Sequence, residues 1–105
     1  DEAYDLAKSM FSKHPRVRLL FCANDMMALG AIQYLKEIGR KDVLVASFDN
    51  LEEIKPLIED GSLQASIDQQ AKQQGYLGVQ TAYQMITGKE VSNNVLIPVK
   101  LITSK

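Results

Sequence analysis

Three short strand-like runs, each closed by a polar residue and each followed by a helix-like stretch, constrain this chain more than any other feature. The runs are Val17–Ala23, continuously apolar apart from Arg18, then Val43–Phe48, which includes Ser47, and Leu63–Ile67, which includes Gln64 and Ser66. Five to seven residues bounded by turn formers is the length of a buried strand. Around them apolar residues recur at helical spacing. Ala3, Leu6, Ala7, Met10 and Phe11 stripe residues 2–13, which Pro15 stops. Ala28, Ala31, Ile32, Leu35 and Ile38 stripe the next helix, started by Asn24 and Asp25 and ended by Gly39. Ala71, Gly75, Val79, Ala82, Tyr83 and Ile86 line one face of the longest helix, 70–87, with Gly88 beyond it.

The shorter segments follow from turn chemistry. Asn50 and Glu53 are spaced as a capping box, and Pro56 predicts a break followed by a short helix to Asp60, ended by Gly61. Asn93 and Asn94 mark a turn. Val95–Ile97 and Val99–Ile102 read as short strands parted by Pro98, a residue unsuited to a central strand. Strands separated by helices imply an α/β fold, three layers deep, with a parallel sheet and right-handed crossovers.

Ligands of open parallel sheets bind outside the carboxyl ends of the strands. Asn24 follows the first run, Asp49 the second and Gln69 the third, with Asp68 just before it. Asn and Gln both donate and accept hydrogen bonds, and an ionised Asp accepts. That set matches a polyhydroxylated ligand, whose hydroxyls do both. A carboxylate accepting from a hydroxyl makes the stronger, charge-assisted bond. Each residue also has a plainer reading. Asn24 and Asp25 suit a helix cap, Asp49 a turn and Gln69 an exposed surface.

Composition removes several function classes. A chain of 105 residues, 46% hydrophobic and 24% charged, makes one small folded domain. Net charge is −1, and the densest basic positions, Arg16, Arg18, Arg40 and Lys41, have acidic neighbours, so no nucleic-acid face is expected. The single cysteine, Cys22, excludes an internal disulfide and a cysteine-based zinc site. No run approaches the about 18 apolar residues of a membrane span. Neither a Gly-x-Gly-x-x-Gly turn nor a P-loop is present, and the lone histidine, His14, sits before Pro15 at a helix end. No enzyme chemistry and no cofactor are expected. A phosphoacceptor role for Asp49 fails on spacing, because Asp25 lies only 24 residues before it.

The stretch Cys22-Ala23-Asn24-Asp25-Met26-Met27-Ala28-Leu29-Gly30-Ala31 resembles the A-x-N-D-x-M-A-L-G-A segment of periplasmic sugar-binding proteins, which have the type I periplasmic-binding-protein fold. The likeness continues through Gly39–Val43, Ser47–Asn50, Ile58–Gln69, Tyr76–Gly78 and Gly88-Lys89, in order and at similar spacing. It is strongest to the ribose-binding type. Carried over by position, the resemblance implies that Asn24, Asp49 and Gln69 contact a ribose-like monosaccharide. Two positions depart from the family pattern: Asn50 stands where Gly is frequent, and Gln70-Ala71 replaces a common proline.

The resemblance further implies a C-terminal part of a two-lobed protein that closes on sugar by a hinge. Residues 1–69 then belong to the C-terminal lobe, 70–97 to the opposite lobe, and 98–105 to a returning strand. The implied parent is periplasmic or extracellular, anchored as a lipoprotein in some cases, and delivers sugar to a membrane permease or reports it to a sensor. The effector domain of a sugar-responsive repressor shares the fold, but Gly39–Val43 lacks the Pro-x-Asp such repressors carry before this strand. Taken alone, the chain should bind sugar weakly or not at all, and it should self-associate through its open strand edge at 17–23 or by exchanging the last helix.

Overall fold

Each apolar run becomes a strand, shorter than its hydrophobic stretch. The computed structural model describes residues 2–92, 94 and 96–104. The order is α1 (Glu2–Lys13), β1 (Leu19–Phe21), α2 (Asp25–Glu37), β2 (Leu44–Phe48), a 3-10 turn (Glu52–Ile54) running into α3 (Lys55–Glu59), β3 (Ala65–Asp68), α4 (Ala71–Ile86) and β4 (Lys100–Ile102). Among the described residues no helix is long and apolar enough to cross a membrane.

The sheet runs β1-β2-β3-β4, with β1, β2 and β3 parallel. β4 pairs antiparallel to β3, Asp68 opposite Lys100, so the sheet is mostly rather than wholly parallel. The cause is local. The chain leaves β3 at its carboxyl end and comes back beside that same end, where the Gln70 side-chain amide donates to the Pro98 carbonyl. A strand starting there can only run backwards along β3.

Right-handed crossovers that step in one direction place their helices on one face. α2 and α3 therefore share a face and enclose a core that includes Phe11, Ala28, Leu35, Val45, Ile54 and Leu63. α1 packs on α2 across Gly30, where an added Cβ would lie 2.8 Å from the Ala3 Cβ and 2.9 Å from the Tyr4 nitrogen. Of the three layers expected, the described residues supply the sheet and one helical layer. On the other face Leu19, Phe21, Leu44 and Leu101 are exposed.

α4 forms over nearly the expected span but buries no residue. Its expected inner stripe lies open, with Val79 74% and Ile86 85% exposed. The helix projects, and the radius of gyration reaches 18.0 Å, against roughly 13 Å for a compact domain of about 100 residues.

Smaller expectations also shift. The capping box at Asn50 and Glu53 does not form: Leu51 precedes the 3-10 turn with no side-chain cap, and the Asn50 amide donates to Asp68 instead. The short helix expected after a break near Pro56 does form, as α3 after the 3-10 turn ends at Ile54, and Pro56 sits in its first turn, where a missing N–H costs nothing. The strand expected over 95–97 is absent at Leu96 and Ile97. Val95 and Asn93 lie outside the described residues.

Candidate functional site

The carboxyl ends of β1, β2 and β3 reach one level. Phe21 pairs with Ala46, so Asn24 and Asp49 each stand three positions beyond a matched pair. Phe48 pairs with Ile67, which sets Asp49 beside Asp68 and Gln69 one step further on. The three candidates therefore occupy one rim of the sheet.

Their side chains do different things there. Asn24 is half-buried and caps α2, its Oδ1 accepting from the Met27 N–H at 2.9 Å. This is the plainer reading of Asn24, and it commits the oxygen while leaving the amide nitrogen outside that bond. Asp49 is exposed and held at φ 120°, in backbone space that L residues rarely use. Gln69 is exposed, and its Nε2 donates to the Asp49 Oδ1 at 3.4 Å, a long bond that a ligand hydroxyl can replace. Asp49 and Gln69 are thus brought together. Asn24 faces a separate cavity of about 350 Å³ with Glu2, Leu6 and Met27, whereas Asp49 borders a groove of about 420 Å³ with Asn50, Asp68, Gln70 and Lys72.

Behind the rim lies a residue whose part the sequence pattern did not assign. Asp25 is fully buried. Its Oδ1 accepts from the Ser47 and Ser66 hydroxyls, and its Oδ2 accepts from the Leu51 N–H at 2.7 Å. The expectation treated Asp25 as a second capping candidate, whereas Asn24 alone is the cap. A signal was present: Ser47 alternates with Val45 on the covered face of β2, so a hydroxyl buried there demands a polar partner.

The turn after β3 is held in the same way. Asp68 accepts from the Gln70 N–H at 2.7 Å through Oδ1 and from the Asn50 amide at 3.3 Å through Oδ2. Gln70 sits at φ 56° and starts α4 without a side-chain cap. An amide, a carboxylate and a second amide on one rim can give and take hydrogen bonds, but they form no nucleophile–base pair. Among the described residues no cluster of three His, Cys, Asp or Glu can hold a metal ion.

Comparison with known proteins gives a consistent picture. Residues 1–90 match the sequence profile of the periplasmic binding protein domain family. A D-ribose/D-allose-binding protein of Pseudomonas aeruginosa is 38% identical over 104 residues, covering 94% of this chain and 33% of the relative. A ribose import binding protein of Escherichia coli is 34% identical over 101 residues, covering 96% of this chain and 34% of its own. An ABC transporter solute binding protein of Bacillus halodurans, solved with bound myo-inositol, superposes with a TM-score of 0.90 at 32% identity, over 98% of this chain and 36% of that one. The chain spans about a third of the length of these relatives.

Proposed function

The chain belongs to the periplasmic binding protein domain family, and from that premise we propose that it is the sugar-recognition part of a solute-binding protein serving an ABC importer. Asn24, Asp49 and Gln69 are the proposed contacts, and the ligand is a ribose-like monosaccharide. The observation that carries this reading is the Asp49–Gln69 contact at the carboxyl rim of parallel strands, with Asn24 at the same level on the neighbouring strand. The rim binds and releases; it performs no chemistry on the sugar.

The division into lobe, crossover and return has its own support. Gln70 and Pro98 are hydrogen-bonded, so the segment between them leaves and re-enters at one place, as a hinge requires. Transport is favoured over a repressor effector role by the relatives, since the Escherichia coli protein is an import binding protein and the Bacillus halodurans one belongs to an ABC transporter. The same relatives point to a periplasmic or extracellular site of action and to a membrane permease as the partner.

The experiment is a residue-resolved NMR titration of the 105-residue chain with D-ribose. A single rim leaves most of the sugar in water, so affinity should be weak, roughly millimolar. Shifts should centre on Asn24, Asp49 and Gln69, and Asp49→Ala should abolish them. Shifts confined to the opposite end of the sheet, or none at all, would overturn the reading.

A further inference from the structure

We propose that Asp25 is a positioning residue for the recognition rim: its buried carboxylate fixes the turn at 49–51 that presents Asp49. The inference rests on the sugar-recognition reading for its purpose, and on the hydrogen bonds of the turn for its substance.

Asp49 and Asn50 stand at φ 120° and 60°, two successive residues with a Cβ in left-handed space. Such a conformation persists only where the surroundings hold it. Three successive backbone N–H groups do the holding. Asp49 donates to the Ile67 carbonyl at 2.9 Å, Asn50 to the Ser66 Oγ at 3.0 Å and Leu51 to the Asp25 Oδ2 at 2.7 Å. The Ser66 hydroxyl in turn donates to the Asp25 Oδ1 at 2.8 Å, so two of the three anchors end on one carboxylate. The Ser47 hydroxyl donates to the same oxygen.

The placement decides what this carboxylate is for. A fully buried carboxylate is expensive unless every lone pair it shows is matched. Here the match comes from hydroxyl and backbone donors, and the first turn of α2 favours negative charge. An apolar residue would fill the space without that demand. What an apolar residue cannot do is join three segments. Asp25 follows Asn24 in the chain, bonds the turn that carries Asp49, and bonds β3 three residues before Gln69. One side chain thus sets the spacing of all three proposed contacts while touching none of the sugar.

The test is amide hydrogen exchange, read by NMR on the 105-residue chain. Asp25→Ala should raise exchange at Asn50 and Leu51 at least roughly ten-fold more than at Cys22 and Gln64, whose N–H groups bond to β2 carbonyls. Val45→Ala, a core truncation outside the network, should raise all four together. Ser66→Ala should loosen Asn50 more than Leu51, and it decides the matter if Asp25→Ala does not fold. Amides of Asn50 and Leu51 that track the strand amides in every folded variant would overturn the proposal. D-ribose separates purpose from anchoring. Ribose-induced shifts at Asp49 that vanish in Asp25→Ala support positioning, and undiminished shifts overturn it. A wild-type chain indifferent to ribose sinks the recognition reading alone, and the exchange rates still decide whether Asp25 holds the turn.

Discussion

Residues 2–68 and residues 71–104 carry the same kind of apolar periodicity and meet opposite environments. α2 buries Ala28, Ala31, Ile32 and Leu35, while α4, the longer helix, buries nothing. Among the described residues, the buried hydrophobic core lies wholly between Ala7 and Leu63. The difference shows that a stripe names the face a helix will offer and says nothing of what that face will meet. Helices of this length draw most of their stability from packing, so the two halves should respond very differently to the same injury.

The largest effect tests that directly. Leu63→Ala empties a position only 1% exposed and should cost about 2–5 kcal/mol. Val79→Ala removes similar chemistry from a 74% exposed position and should stay within about 0.5 kcal/mol. Urea unfolding followed by far-ultraviolet circular dichroism, at low protein concentration, measures both. Equal losses would mean that α4 is packed after all.

Concentration sharpens the comparison further. Val79, Tyr83 and Ile86 on α4 and Leu19, Phe21 and Leu44 on the sheet are large apolar groups in the open, more than a solitary soluble chain usually shows together. Sedimentation should therefore reveal self-association that grows with concentration. Val79→Glu combined with Ile86→Glu should weaken it by roughly ten-fold or more if the helix is the contact. Association left untouched by that pair would assign the contact to the sheet and its β1 edge. A strictly monomeric chain would remove the expectation.

How much of this was legible in the residues depends on which half is read. In 2–68, local rules and tertiary partners agree, so the apolar runs mark β1, β2 and β3, and Asn24, Asp49 and Gln69 fall at their ends as expected. The strands are shorter than the runs that mark them: Val17 is half-buried and Cys22 buried while both lie outside β1, although the Cys22 N–H still bonds to the Ala46 carbonyl of β2. The hub at Asp25 was harder, since a cap and a buried acceptor look alike at a helix start. The capping box failed for a related reason. The Asn50 side chain is engaged instead with Asp68, which lies 18 residues away and is invisible to local spacing. In 71–104 the helix was legible and its exposure was not, because burial depends on chain segments that local pattern never names.

The smallest effect separates the halves by charge. Arg40 grips Asp42 with Nε at 2.7 Å and Nη2 at 2.9 Å, donates to the Pro15 carbonyl at 3.0 Å, and lies over the Phe11 ring. It thereby ties the α1–β1 connection to the loop before β2. Its guanidinium holds the Asp42 carboxyl below the ordinary value of 3.8. A carboxylate whose folded pKa is depressed adds stability above its unfolded pKa, and that stability is lost as pH falls through the folded value. The pair is exposed and screened, so the contribution is modest. A wild-type chain should therefore melt slightly higher than Asp42→Asn at neutral pH, and the gap should close as pH drops below about 4. α4 has no acidic residue, so its own helicity should not follow that titration. A gap that persists in acid would show that Asp42 acts through shape rather than charge, and an α4 signal that tracks it would show that the projecting helix is coupled to the packed unit.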